Sequence, residues 1–91
     1  MKFEWDDNKS SANKAKHGID FKSAKEMWKD SSRVEIQAPH PLEDRNILIA
    51  KIVDNLWTAI FTYRGNNIRI ISVRRSRKKE IRLYEGEKEN S

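Results

Sequence analysis

Arg64, Arg69, Arg74 and Arg75, followed by Arg77, Lys78, Lys79 and Arg82 with Glu80 among them, are the side chains of this chain best suited to chemistry on an anion. Residues 64–82 carry eight Lys/Arg and one acid, a net +7, whereas residues 1–63 balance ten bases against ten acids. Residues 83–91 hold one base and three acids, so the whole +5 of the protein arises from one short segment. Charge gathered this way on a neutral body is the footprint of a polyanion partner. Guanidinium groups grip phosphate through two parallel N–H bonds. They also stabilise negative charge that develops during reaction.

Other chemistry is thinly represented. There is no cysteine, so neither a thiolate nucleophile nor a disulfide is possible. HExxH, CxxC, Walker and Gly-rich phosphate patterns are missing, and no metal or cofactor is expected. Asp6, Asp7 and Asp20 stand where helix caps belong. His17 precedes a helix-ending glycine, a place where the helix dipole favours a cation. His40 lies between two prolines. What remains is RNA phosphodiester cleavage without a metal, in which the substrate's own 2′-OH attacks. The protein then needs only to position the phosphate and stabilise the pentacovalent anion. Lys9, His17, Glu80 and Tyr84 are on offer for proton transfer, and residue type alone does not choose among them.

These groups must be held by a small scaffold. Residues 2–5 alternate as a strand with one buried face. Asp6 caps a helix that reaches about Lys16 and stops at Gly18. Asp20 caps a second, amphipathic helix over residues 21–29, with Phe21, Ala24 and Trp28 on one face and Ile19 stapled onto Ala24. From Ser31 the period becomes two, but Ala38-Pro39-His40-Pro41 breaks any strand. Residues 46–53, 56–63 and 68–74 read as an antiparallel meander with turns at 54–55 and 65–67. Ser76 reads as the cap of a last helix that contains Glu80, Ile81 and Tyr84 and ends at Gly86.

The order β-α-α-β-β-β-α makes an α+β fold, a mostly antiparallel sheet with helices packed on one side. Trp5, Trp28 and Trp57 belong to its core. One small domain spans residues 1–86, and residues 87–91 form a polar frayed tail. Strand alternation puts Arg69 and Arg74 on opposite faces unless a bulge intervenes. Arg77, Lys78 and Lys79 fall in the first turn of the last helix, where cations are unfavourable by about 0.3–1 kcal/mol each. A bound anion would remove that misfit; the plainer alternative is a solvated helix with Glu80 compensating. No apolar run approaches the roughly 20 residues of a membrane span. The opening MKFEWDDNK has acids where a signal peptide needs an apolar stretch, so a soluble, cytoplasmic protein is expected.

The stretches FEWDDNKSSANKAKHGIDF and RGNNIRIISVRRSRKKEIRLYE resemble the BrnT family of type II toxins. The most specific parts are WD-x-x-K-x-x-x-N-x-x-K-H-G-I-x-F and R-I-I-S-x-R-x-x-x-x-x-E. The resemblance implies a RelE-like fold and an endoribonuclease activity that arrests translation. It also implies neutralisation by a BrnA-type, DNA-binding antitoxin in a hetero-oligomer, which meets operator DNA only through that antitoxin. Lys9, Asn13, His17 and Gly18 match the opening motif. Arg45 matches the arginine before the family's middle strand, and Arg64 the one ending the next. Arg69, Ser72, Arg74, Arg75, Glu80 and Tyr84 match the closing motif. Ile81 departs from it, standing where a second basic residue is usual, and Val73 and Ser76 replace alanines. The implied catalytic set is Arg64, Arg69, Arg74, Arg75, Glu80, His17 and Lys9, with Arg45, Arg77, Lys78, Lys79, Arg82 and Tyr84 on RNA. Two alternatives use the same patch: a non-catalytic nucleic-acid-binding module or operon co-repressor with steep salt dependence, and a docking surface for an acidic partner. Against the first, no helix-turn-helix or zinc-finger pattern is found, nor paired aromatics on a sheet face.

Overall fold

Local capping signals decide where the helices start. The Asp6 carboxylate accepts from the N–H groups of Asn8 (2.8 Å) and Lys9 (3.2 Å), and α1 runs Asp7–His17. Gly18 stops it with a φ of 83°, its N–H bonding the Lys14 carbonyl at 2.9 Å. Asp20 caps α2, Phe21–Ala24, by accepting from the Ser23 N–H at 2.7 Å. Ile19 and Ala24, the two ends of the expected staple, are buried in one cluster. The second helix does not continue unchanged to residue 29; after Ala24 it tightens into a 3₁₀ segment, Lys25–Lys29. The computed structural model describes residues 2–86, and the tail expected at 87–91 lies outside them.

Five strands follow in the sheet order β1-β5-β4-β3-β2: β1 (Lys2–Glu4), β2 (Val34–Ala38), β3 (Arg45–Ile52), β4 (Asn55–Arg64) and β5 (Asn67–Arg75). β1 lies parallel to β5, and the other pairings are antiparallel. The last helix, α3, spans Lys78–Tyr84. The expected order lacked β2. Its residues pair with β3 from Val34↔Ile49 to Ala38↔Arg45, and Pro39 and Pro41 fall just past its end. The prolines terminate an edge strand rather than prevent one.

A two-residue turn, Val53-Asp54, joins β3 to β4. Val53 takes a φ of 57° with its side chain 84 % exposed. A β-branched residue in the left-handed region is strained by roughly 1–3 kcal/mol, and no packing here offsets it. Val53→Gly is therefore expected to stabilise the fold by about 1 kcal/mol, even after glycine's greater chain entropy is subtracted. A higher urea midpoint at unchanged slope would show it.

One face of the sheet makes the core. Leu48, Ala50, Ala59, Phe61, Ile68, Ile70 and Val73 pack there against Phe21, Ala24 and Met27, with Trp5, Trp28 and Trp57 at the margin. Alternation along β4 sends Thr58 to the other face, yet it too is fully buried, because its Oγ1 donates to Glu80 of α3 at 3.0 Å. Helix α3 thus covers the opposite face from α1 and α2, which corrects the expectation of helices on one side. No residue of α3 is fully buried. It is attached by Glu80 and by Tyr84, whose hydroxyl donates to Asp30 Oδ2 at 2.6 Å, rather than by an apolar stripe.

β1 pairs with β5 only as far as Arg69, which leaves one edge of β5 open further on. Asn13 of α1 closes it. Its Oδ1 accepts from the Val73 N–H at 3.1 Å, and its Nδ2 donates to the carbonyls of Val73 (2.9 Å) and Ile19 (2.8 Å). One buried carboxamide thereby supplies what a sixth strand would, and clamps α1 beside the residue preceding Arg74.

Candidate active site

The register of β5 slips once: Phe61 faces Ile70 while Ile60 faces Ser72, so Ile71 is an extra residue. As a result Arg69, Ser72 and Arg74 lie opposite Thr62, Ile60 and Thr58, alternate residues of β4 that share one face. The bulge therefore puts Arg69 and Arg74 on the same side, the one that α3 partly covers. Arg75 points the other way, its guanidinium 5.4 Å from the centre of the Trp57 ring. Helix α3 closes over the Thr58 end of this face. At the other end Thr62 Oγ1 donates to the Asp44 carbonyl, just before β3, at 2.9 Å. Ile60 and Ser72 between them are half-buried.

Arg74 is held end-on by Glu80. Nη1 donates to Oε1 at 2.8 Å and Nη2 to Oε2 at 2.7 Å, with a further Nη1 bond to the Arg75 carbonyl at 3.3 Å. Both side chains are largely shielded, 20 % and 16 % exposed. Oε1 of Glu80 also accepts from Arg77 N–H at 2.7 Å and Thr58 Oγ1 at 3.0 Å. The Arg74 fork, then the Arg77 and Thr58 donors, overcome burial and hold the Glu80 carboxyl at about 2. The same pairing pushes Arg74 up. A guanidinium carries five N–H groups. Three of Arg74's are taken, leaving Nε–H and one Nη2–H with no acceptor among the described residues. Arg74 is anchored by its end and presents its side to an anion.

Arg77, not Ser76, occupies the cap position of α3, and Glu80 three residues on bonds its N–H, half of a capping box. Ser76 Oγ lies instead 2.8 Å from Thr58 Oγ1. Lys78 and Lys79 open the helix beside Glu80, an acid whose charge Arg74 already engages. Glu80's folded pKa lies below its ordinary 4.5, so its bonding stabilises fully above that value and is lost as pH falls towards 2. The shift corresponds to on the order of 3 kcal/mol. Melting temperature should fall across this window, and Glu80→Gln should flatten much of the slope, with Glu4, Asp20 and Asp30, also lowered, supplying the rest.

The second arginine pair is separate. Arg69 Nη1 sits 3.3 Å from Glu4 Oε1, and Asn67 Nδ2 donates to Glu4 Oε2 at 3.1 Å. The Asn67 bond, then Arg64 and Arg69, keep Glu4 below the usual carboxylate range. This pair is about one-third exposed on each side, the kind worth only about 0–1 kcal/mol, so an incoming phosphate can displace it. Arg64 is exposed opposite Asn67. At strand rise it is roughly 25 Å from Arg75, and Arg69 roughly 15 Å from Arg74. The four arginines therefore cannot grip one phosphate together, but can hold different phosphates of one strand. Arg45 opens β3 with Nε 3.9 Å from Glu43 Oε2, beyond hydrogen-bond reach and without another partner among the described residues. Arg77, Lys78, Lys79 and Arg82 are exposed around α3.

Residues 5–80 match the family model described as the ribonuclease toxin BrnT of type II toxin-antitoxin systems. The chain belongs to the BrnT family. A ribonuclease activity, an RNA substrate and an antitoxin protein come with that membership. The matched span takes in the Asn13 clamp, the bulge and the Arg74–Glu80 pair. No curated protein matches the chain. Among the described residues, no helix is long and apolar enough to cross a membrane.

In this BrnT chain, Lys9 and His17 lie one helical turn either side of Asn13, on the helix clamped next to Arg74. Lys9 is exposed and His17 half-buried. The Tyr84 hydroxyl is committed to Asp30; burial and that bond push it up to about 12. Sequence reasoning missed Thr58, Asp30 and Glu4. The signal for Thr58 was available, a hydroxyl between Trp57 and Ala59 in the middle of an apolar strand. Those for Asp30 and Glu4 were not, because their partners lie 54 and 65 residues away.

Proposed function

We propose that the chain is a metal-independent endoribonuclease centred on the β5 face bearing Arg69, Ser72 and Arg74, beside α3. The observation that carries this is Arg74, fixed end-on by Glu80 with two adjacent N–H groups free. The RNA's 2′-OH attacks the adjacent phosphorus and the 5′-oxygen leaves, giving a 2′,3′-cyclic phosphate and a 5′-OH. The free side of Arg74 meets the phosphate oxygens as charge builds on them. Glu80 holds that guanidinium and is not the base, since a carboxyl held at about 2 by four bonds has little proton affinity. Tyr84 is committed to Asp30. Proton transfer falls to His17 and Lys9. Arg77, Lys78, Lys79 and Arg82 steady the strand on one side of the break, and Arg45, Arg64 and Arg69 on the other; Arg75, turned to the opposite face, stays with Trp57.

We read the α+β arrangement as RelE-like. In the cytoplasm the free protein would arrest translation by cutting RNA, and a BrnA-type antitoxin would cover the arginines and carry the complex to operator DNA.

Product ends test the chemistry. Partner-free protein with an oligoribonucleotide in EDTA should release fragments ending in cyclic phosphate, and a 2′-deoxy sugar at the cleaved position should block the cut. Fragments ending in 3′-OH would contradict it. Salt-sensitive binding with no cleavage at all would point to a binding-only protein.

A further inference from the structure

We propose that Thr58 is a positioning residue of the RNA site, which acts through Glu80 to set the angle at which Arg74 presents its free Nε–H and Nη2–H to phosphate. The proposal rests on Arg74 being the phosphate-binding group. Thr58 lies directly opposite Arg74 on β4, the central strand, and is fully buried. Its hydroxyl contacts Glu80 Oε1 at 3.0 Å and Ser76 Oγ at 2.8 Å.

Proton inventory fixes the direction of these bonds. An ionised carboxylate only accepts, so the single Thr58 proton goes to Glu80. The Ser76 contact must then use the serine proton, and the relay runs from Ser76 to Thr58 to Glu80, which is gripped on its other side by Arg74. The Arg74 fork fixes the guanidinium relative to the carboxylate, and the guanidinium's own tie to the sheet is one long bond, Nη1 to the Arg75 carbonyl at 3.3 Å; the carboxylate needs a tie of its own. The Arg77 N–H cannot supply it, because it belongs to the start of the same helix and moves with Glu80. Among the described residues, Thr58 is, besides Arg74 itself, the only donor to that carboxylate that is rooted in the sheet. A valine would fill the same strand position with nearly the same volume. The hydroxyl is therefore needed for orientation rather than for packing.

The test uses the full chain with Thr58→Val, Thr58→Ser, Ser76→Ala and Arg74→Lys. Binding is read with a short 2′-O-methyl RNA that cannot be cleaved, and chemistry with the unmodified RNA in single turnover. Thr58→Val should melt cooperatively, bind about threefold more weakly and lose about tenfold in the rate constant at saturation, since misplaced donors cost most in the transition state. Thr58→Ser should restore both to within about twofold, and Ser76→Ala should fall between, because it removes only the far end of the relay. A folded Thr58→Val with wild-type binding and rate overturns the proposal, provided Arg74→Lys loses both. If Arg74→Lys also changes nothing, Arg74 is not the phosphate group and the role of Thr58 falls with it. If wild type binds through Arg74 but never cleaves, binding alone decides Thr58, and only the ribonuclease mechanism fails. Should Thr58→Val not fold, Ser76→Ala decides, and an unchanged affinity and rate in that variant overturn the proposal.

Discussion

Arg74→Lys is expected to slow RNA cleavage by about 10²–10³-fold while leaving a cooperatively folded protein. Lysine keeps the positive charge and can still meet the Glu80 carboxylate at one point. It has no planar fork, so it cannot hold both Glu80 oxygens and still present two parallel N–H groups to a phosphate. The loss therefore falls on transition-state stabilisation, and the rate at saturation should drop more than the affinity. Alanine would be a poorer probe. It leaves Glu80, only 16 % exposed, without the fork that bonds both of its oxygens. Breaking a shielded pair from one side costs up to about 3–5 kcal/mol. A domain of this size holds only about 5–15 kcal/mol in total, so lost activity could be lost fold. Single-turnover rates beside thermal melts separate the two, and a Lys variant within a few-fold of wild type would contradict the role given to Arg74.

Asn13→Ala should give a large stability loss, about 3–5 kcal/mol. The residue is 7 % exposed and makes three bonds to the backbone of Ile19 and Val73. Removing it strands the Val73 N–H and carbonyl at the edge of β5 and the Ile19 carbonyl between α1 and α2, each costing about 1–3 kcal/mol if left unmet. Asn13→Asp should lose most of the same energy, because two of the three bonds require the amide to donate. The loosened α1 would carry Lys9 and His17 away from Arg74, so cleavage should fall as well. Urea unfolding checks the first effect, and a loss under about 1 kcal/mol would show that water or a shifted helix replaces the clamp.

What could be read from the sequence was what short-range chemistry decides. Asp6, Asp20 and Gly18 set helix ends through bonds to residues two to four positions away, and all three act as their types predict. The three meander strands were clear from alternation and turn residues. β2 was hidden because its prolines read as a break within it rather than a stop after it. The bulge at Ile71 has no local signature. It shows only in the pairing of β5 with β4, so the shared face of Arg69 and Arg74 could be conditioned on a bulge but not foreseen. The position of α3 was also beyond reach, since its attachment runs through Thr58, Arg74 and Asp30, far apart in the chain. The basic segment announced a phosphate partner. It did not show that Glu80 already holds one of its arginines.

The most direct test compares wild type and Arg74→Lys, both partner-free and matched for fold by circular dichroism, on one oligoribonucleotide in EDTA. Wild type is expected to cleave to cyclic-phosphate ends, and the variant to be slower by about 10²–10³-fold. Equal rates from the two proteins, or no cleavage by either until divalent metal is added, would contradict an arginine-centred, metal-independent ribonuclease.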